Sequence, residues 1–203
     1  ALTKPEKFES SSGIGVRGVV DGKHLAVGNT ALMDEEHVDS QPLRDAAERL
    51  RNEGASAMFV AVDGRVAGLL AVSDPIKTTT LEALTTLRDD GIRVVMATGD
   101  GWTTARAVAA KLGIDEVIGE VKPADKVQLV ARLQSEGRRV AMAGDGINDA
   151  PALAKADVGI AMGTGTDVAM QSAHLTLVKG DLRGIARARI ISRQTVRNMW
   201  QNL

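Results

Sequence analysis

Gly144-Asp145-Gly146-Ile147-Asn148-Asp149-Ala150-Pro151-Ala152-Leu153 follows directly on an apolar run, 139–143, that reads as a strand. In an open α/β sheet, ligands sit outside the carboxyl ends of the strands. Gly144 and Gly146 let the backbone turn tightly there and approach a ligand closely. With Asp145 ending the strand and Asp149 opening the next helix, the two carboxylates can converge on one point. Mg²⁺ suits such a pair, because it is typically held by one or two carboxylates, waters and a phosphate oxygen. An Asp-Gly turn with an Asn/Asp helix cap is the plainer alternative. Two carboxylates, an Asn and two glycines within six residues exceed what a cap requires.

Outward from this stretch, strands and helices alternate. Helices are predicted at 78–88, 103–112, 123–134, 148–154 and 167–173, the third with Pro123 in its first turn. Strands are predicted at 92–97, 117–118, 139–143, 158–162 and 175–178. Repeated βα alternation means a parallel, doubly wound sheet. Residues 1–72 follow another grammar: strands at 15–20 and 24–27 joined by Asp21-Gly22, a helix at 42–52, and strands at 57–62 and 65–72 joined by Asp63-Gly64. Asp-Gly is a hairpin dipeptide, so this part is α+β with antiparallel pairing. The boundary falls near Val72, with 73–77 as a hinge. The tail from Asp181 is helical and basic, carrying Arg183, Arg187, Arg189, Arg193 and Arg197 and ending at Met199-Trp200-Gln201-Asn202-Leu203. It reads either as a solvated terminal helix or as a stalk nearing a membrane interface.

Composition narrows the function classes. Lys+Arg 25 against Asp+Glu 26 leaves a net charge of -1, which removes any general electrostatic case for nucleic acid. With no cysteine there is neither a disulfide framework nor a thiolate metal site. No run approaches the roughly 18 apolar residues that a membrane span needs. Two Phe, two Trp and no Tyr leave the core to Val, Ile, Leu, Ala and Met, a mixture that suits parallel strands covered by helices.

Three weaker signals accompany the Gly144 stretch. Thr98-Gly99-Asp100 ends a strand and precedes a helix, where a hydroxyl and free amides can hold an anion. Lys126 lies early on the helix opened by Pro123, close enough to the same sheet edge to neutralise phosphate charge. Gly13-Ile14-Gly15 and Gly28-Asn29 are turn patterns of low specificity. Each, taken singly, also has a plain structural reading: a turn, a solvated lysine, a loop. His24, His37 and His174 are scattered, and the seven Met residues sit mostly in strands and helices with core periodicity, which reads as packing.

Together these motifs resemble the heavy-metal branch of the P-type ATPases over essentially the whole chain. Gly144–Leu153 resembles that family's hinge motif. Asp74-Pro75-Ile76-Lys77, Thr98-Gly99-Asp100 and Pro123-Ala124-Asp125-Lys126 match its phosphorylation-domain motifs in order and spacing. Gly13, Gly15, Gly28 and Asn29 resemble its nucleotide-binding glycines and asparagine. The resemblance implies a haloacid-dehalogenase-like doubly wound parallel sheet with a smaller antiparallel α+β nucleotide-binding domain: 1–72 nucleotide-binding, 73–180 phosphorylation, 181–203 a stalk leading to a transmembrane segment. It implies ATP and Mg²⁺ as cofactors and transport of a heavy-metal cation through an aspartyl-phosphate. Thr98 and Gly99 would hold the phosphoryl group, Lys126 neutralise it, and Asn148 hydrogen-bond it. Asp145 and Asp149 would position Mg²⁺, and Asp100, Asp74 and Pro75 would support the loop and hinge. Gly13, Gly15, Gly28 and Asn29 would line the adenine-nucleotide pocket.

Parts of the family pattern are missing. Asp-Lys-Thr-Gly-Thr, which carries the phosphorylated aspartate, occurs nowhere, nor does the adenine-binding Ser-Glu-His-Pro. The actuator and membrane motifs are also absent. The chain therefore reads as the ATP-handling part of a cytoplasmic portion of a membrane pump. It is expected to be inactive alone and to bind no transported metal, its partners being the remaining domains of the same pump. The tail looks closer to the copper(I) group than to the zinc/cadmium/lead group. A free-standing phosphatase of the same fold and a non-catalytic nucleotide sensor remain as alternatives.

Overall fold

The structure, a computed structural model, describes residues 4–11, 13–163 and 166–202; Leu203, the end of the basic tail, lies outside them. Contacts divide the chain into two units. One runs to Pro75 and takes in Asp100–Val108; the other comprises Ile76–Gly99 and Ala109–Leu203.

The first unit is an antiparallel sheet whose five strands lie in chain order: β1 (Glu6–Ser11), β2 (Gly15–Val20), β3 (Lys23–Gly28), β4 (Ser56–Val62) and β5 (Arg65–Val72). Both predicted Asp-Gly hairpins are present. Asp21 and Gly22, like Asp63 and Gly64, all have positive φ, the combination that matches the right-handed twist of the flanking strands. Helices α1 (Thr30–Glu35) and α2 (Arg44–Asn52) connect β3 to β4. Alternate residues of β4, Ala57, Phe59 and Ala61, are buried in one cluster with Leu32, Met33 and Ala47. Two elements escaped the sequence reading. Strand β1 is polar and exposed, with a bulge between Glu6 and Glu9, so it carries no apolar alternation. Charged, bulged edges of this kind discourage pairing with other chains. Helix α1 is too short to show a period, and its signal is the cap residue Asn29.

In the second unit every strand pair is parallel. The order of elements is α3 (Thr78–Asp89), β6 (Val95–Ala97), α4 (Trp102–Leu112, whose first half falls in the first unit), β7 (Glu116–Ile118), α5 (Pro123–Ser135), β8 (Ala141–Gly144), α6 (Ala150–Lys155), β9 (Val158–Met162), α7 (Asp167–Ser172), β10 (Leu175–Leu177) and α8 (Arg183–Gln201). The parallel sheet forms in two hydrogen-bonded pieces, β6–β7 and β8–β9–β10. Among the described residues β6 and β8 are each paired along one edge only. Burial follows: Gly159, Ile160 and Ala161 in the middle of β9 are buried, whereas Ala141 and Ala143 of β8 are exposed.

Two strands begin later than predicted, for local reasons. Gly91 takes a left-handed φ and Ile92 N–H closes on Leu87 O, a C-terminal helix cap that consumes the first residue of the predicted strand. Val140 N–H donates to the Asp157 carboxylate, so β8 starts at Ala141. The cluster of Val130, Ala152 and Ala156, with Val127, Val140 and Met142 against it, packs α5 and α6 beside β8. That packing sets Lys126 near the end of β8.

Candidate functional site

β8 ends at Gly144, and the chain passes through Asp145-Gly146 into a 3₁₀ turn, Ile147–Asp149, before α6. The turn differs from the predicted helix at 148–154 because Asp149 folds back on the strand end. One carboxylate oxygen, Oδ2, accepts from the backbone N–H of Asp145 and of Gly146, each at 3.2 Å. The other, Oδ1, receives Lys126 Nζ at 2.6 Å. Gly144 makes room for this: a Cβ there would lie 2.7 Å from Asp149 Cβ and 2.8 Å from Oδ2. Glycine at 144 is thus demanded by a buried carboxylate. Asp149 is 6% exposed.

A buried acid is expensive to ionise unless paired. Burial pushes the Asp149 carboxyl up; the Lys126 ammonium and the Gly146 and Asp145 amides outweigh it and hold the group below the ordinary carboxylate range. Lys126 and Asp149, 23 residues apart, therefore form a net-neutral ion pair at the end of β8. Lys126 comes from the first turns of α5, whose start is fixed by Pro123 and by Asp125, which accepts from Lys122 N–H at 2.9 Å.

Asp145 is exposed and lines a cleft of about 250 Å³ together with Gly144, Lys77, Thr79, Thr80 and Gly180. Lys77 Nζ donates to Gly180 O at 3.2 Å. Sequence alone gives Lys77, Thr79 and Thr80 no role, though Lys77 closes the Asp74-Pro75-Ile76-Lys77 motif and the threonines lie in the first turn of α3. Asn148 is exposed on the 3₁₀ turn. Thr98 extends β6 by one residue: its N–H donates to Ile118 O and its carbonyl accepts from Val121 N–H, both at 3.0 Å. Gly99 also lies against Val121, two residues before α5. Asp100 falls in the first unit, where its carboxylate accepts from Ser56 Oγ at 2.9 Å. Asp74 and Pro75 lie in the exposed segment between β5 and α3.

In the first unit, Gly15 and Gly28 face each other across β2 and β3. A Cβ on Gly28 would collide with Ile14 O and lie 2.6 Å from Leu32 Cδ2, so packing alone already requires glycine at this pair. Asn29 bonds at both ends of its amide: Nδ2 donates to Gly13 O at 2.9 Å and Oδ1 accepts from Leu32 N–H at 3.2 Å, capping α1. Gly13, with φ of 75°, has open space beside it.

Comparison with known proteins identifies the class to which this parallel α/β unit belongs. The chain belongs to the haloacid dehalogenase-like hydrolases, whose family profile matches residues 3–157. Within that class it is 56% identical over its whole length to a copper-exporting P-type ATPase of Legionella pneumophila, covering 28% of that protein. It is 54% identical to a silver-exporting P-type ATPase of Salmonella typhimurium, again over the whole chain and 25% of the relative. A zinc-transporting PIB-type ATPase structure superposes over the whole chain with a TM-score of 0.69 at 32% identity, covering 32% of that protein. The catalytic domain of a CPx-ATPase, CopB-B, matches 93% of the chain and 66% of its own length, with a TM-score of 0.65 at 28% identity. The chain thus spans about a quarter of the length of the curated relatives it matches. Among the described residues no helix is long and apolar enough to cross a membrane.

Proposed function

We propose that this chain is the ATP-handling portion, on the cytoplasmic side, of a membrane pump that exports copper(I) through an aspartyl-phosphate. The observation that carries the reading is the Lys126–Asp149 pair seated on the Asp145 and Gly146 amides. It fixes the Lys126 ammonium at the strand end where a phosphoryl group would be handled.

The donor set fits Mg²⁺. Asp145 offers an exposed carboxylate in a cleft, as expected of a metal held by one or two carboxylates, waters and phosphate. Asp149, with both oxygens engaged, supports Asp145 through its backbone amide and holds Lys126 in place. When bound at Asp145, Mg²⁺ would supply charge neutralisation for the phosphates. Lys126 would neutralise a phosphoryl oxygen, Thr98 and Gly99 would cradle the group, and Asn148 would donate a hydrogen bond to it. The acceptor aspartate would come from a part of the pump outside this sequence. Asp74 and Pro75 would serve as the hinge, and Asp100 would support the loop after Thr98. In the nucleotide pocket, Gly13 would give open approach. Gly15 and Gly28 would shape the wall, and Asn29 would act by holding the Gly13 carbonyl.

Copper is expected to be selected elsewhere than in this chain. Copper(I) prefers thiolate and thioether ligands. There is no cysteine, and Met33, Met58, Met96, Met142, Met162, Met170 and Met199 each sit in a different strand or helix. Ion selection would belong to the rest of the pump.

The test is phosphoenzyme formation by the full-length protein with labelled ATP and Mg²⁺. An acid-stable, hydroxylamine-sensitive product, formed faster with copper(I) or silver(I), is expected; this chain alone is expected to form none. Activation by zinc or cadmium only would overturn the copper assignment. A stoichiometric phosphoenzyme on the isolated chain would overturn the acceptor assignment.

A further inference from the structure

Thr98 and Asp100, separated by Gly99 alone, are anchored in different places. Thr98 belongs to the second unit, where its N–H donates to Ile118 O and its carbonyl accepts from the N–H of Val121, itself buried. Asp100 belongs to the first unit, together with the opening turns of α4. Its carboxylate accepts from Ser56 Oγ at 2.9 Å. Thr104, 5% exposed, donates its hydroxyl to Ala55 O at 3.0 Å. Two hydroxyl bonds thus seat residues 100 and 104 on neighbouring residues, 55 and 56.

Ser56 opens β4, the strand whose alternate residues Ala57, Phe59 and Ala61 are buried in the core of the first unit. It stands in register with Val72, the last residue of β5, where the chain leaves the sheet. From that base to Thr98 the chain has no slack. Consecutive Cα atoms are fixed about 3.8 Å apart, and only two such steps separate Asp100 from Thr98. Planar peptides leave φ and ψ as the only soft angles, so a displacement of Asp100 has to be taken up at Gly99 or passed to Thr98. The Thr104 bond holds α4; the Ser56 bond alone reaches the residue next to Gly99. A hydroxyl bond to a carboxylate is charge-assisted, and so among the stronger kinds.

We propose that Ser56 is a positioning residue for phosphoryl transfer. By holding the Asp100 carboxylate it sets the turn in which Thr98 and Gly99 cradle the phosphoryl group. The inference rests on the ATP-handling reading above and adds to it a side chain of the first unit that acts only through Asp100.

The test has two arms. In the purified chain, amide exchange at Thr98 and Val121, followed by NMR, should quicken about tenfold in Ser56→Ala, because opening the turn then breaks one charge-assisted bond fewer. Ser56→Thr keeps the hydroxyl and should restore the wild-type rate. Ile160 in β9 should exchange alike in all three proteins. In the full-length protein, phosphoenzyme formation at saturating Mg-ATP should slow about tenfold in Ser56→Ala, the kinetic equivalent of that bond. The ATP concentration giving half the maximal rate should not change, and Ser56→Thr should recover the rate. Wild-type exchange in Ser56→Ala, a wild-type phosphorylation rate, or a loss confined to ATP affinity would overturn the proposal. Failure of the wild-type protein to form any phosphoenzyme would instead overturn the ATP-handling reading, and this role with it.

Discussion

Replacing Lys126 with Met should leave Asp149 buried and without a counter-ion. The two side chains are 17% and 8% exposed and meet at 2.6 Å. Removing one partner of a buried pair costs about 3–5 kcal/mol, most of it the penalty on the charge left behind. Asp149 keeps its two amide donors, which favours the lower end, about 3 kcal/mol at neutral pH. The pH dependence makes the test specific. In the wild type the Asp149 carboxyl lies below its ordinary range, so its contribution is present above the unfolded value and lost as pH falls through the folded one. Without Lys126, burial prevails and the carboxyl rises, so the variant recovers as acid protonates Asp149. The stability difference between the two proteins should therefore shrink as pH drops from 7 toward 4. Urea unfolding followed by circular dichroism, run on Lys126→Met, Asp149→Asn and the double variant, gives the coupling energy directly. A loss below about 0.5 kcal/mol, the scatter of ordinary surface changes, would refute the buried-pair argument. So would a loss that stays constant with pH.

Gly28→Ala should destabilise the first unit by about 1–3 kcal/mol through overpacking against Ile14 O and Leu32. Gly13→Ala, strained in φ with open space beside it, should cost about 1–2 kcal/mol; thermal melts will rank the two. Asp145→Asn in the full-length protein should slow phosphoenzyme formation at least about a hundredfold, a loss of several kcal/mol of transition-state stabilisation, and wild-type rates would place the metal elsewhere. The Asp157 carboxyl, depressed to about 2 by Val140 N–H, Gln134 and Arg139, contributes stability that is intact above pH 4 and lost as pH falls toward 2. Asp157→Asn should flatten that part of the acid-unfolding curve.

Much of the architecture is legible because it is written in local chemistry. Asp21-Gly22 and Asp63-Gly64 announce their hairpins, and the switch from glycine-turned strands to βα alternation separates antiparallel from parallel pairing. Lys126, Asp145 and Asp149 could be picked out as chemistry-bearing by their places at strand and helix ends. Their arrangement could not. That Asp149 turns back onto the Asp145 and Gly146 amides depends on the missing Cβ of Gly144, and that it meets Lys126 depends on how α5 and α6 pack. Asn29 shows a second limit. A cap and a ligand-binding asparagine look the same in sequence, and the bonds to Gly13 O and Leu32 N–H add a structural duty that the sequence does not reveal. Lys77, although part of a motif, shows no role in sequence, and Thr79 and Thr80 show no signal, because their cleft is bounded by Gly180, a hundred or so residues downstream.

The bare edges of β6 and β8 bear on how this chain behaves in a test tube. A strand with one side unpaired holds out backbone donors and acceptors that another copy can satisfy. With a net charge of -1, colloidal repulsion between copies is weak near neutral pH. Concentrated stocks should therefore grow oligomers by edge-to-edge recruitment, more slowly at alkaline pH, where the net negative charge rises.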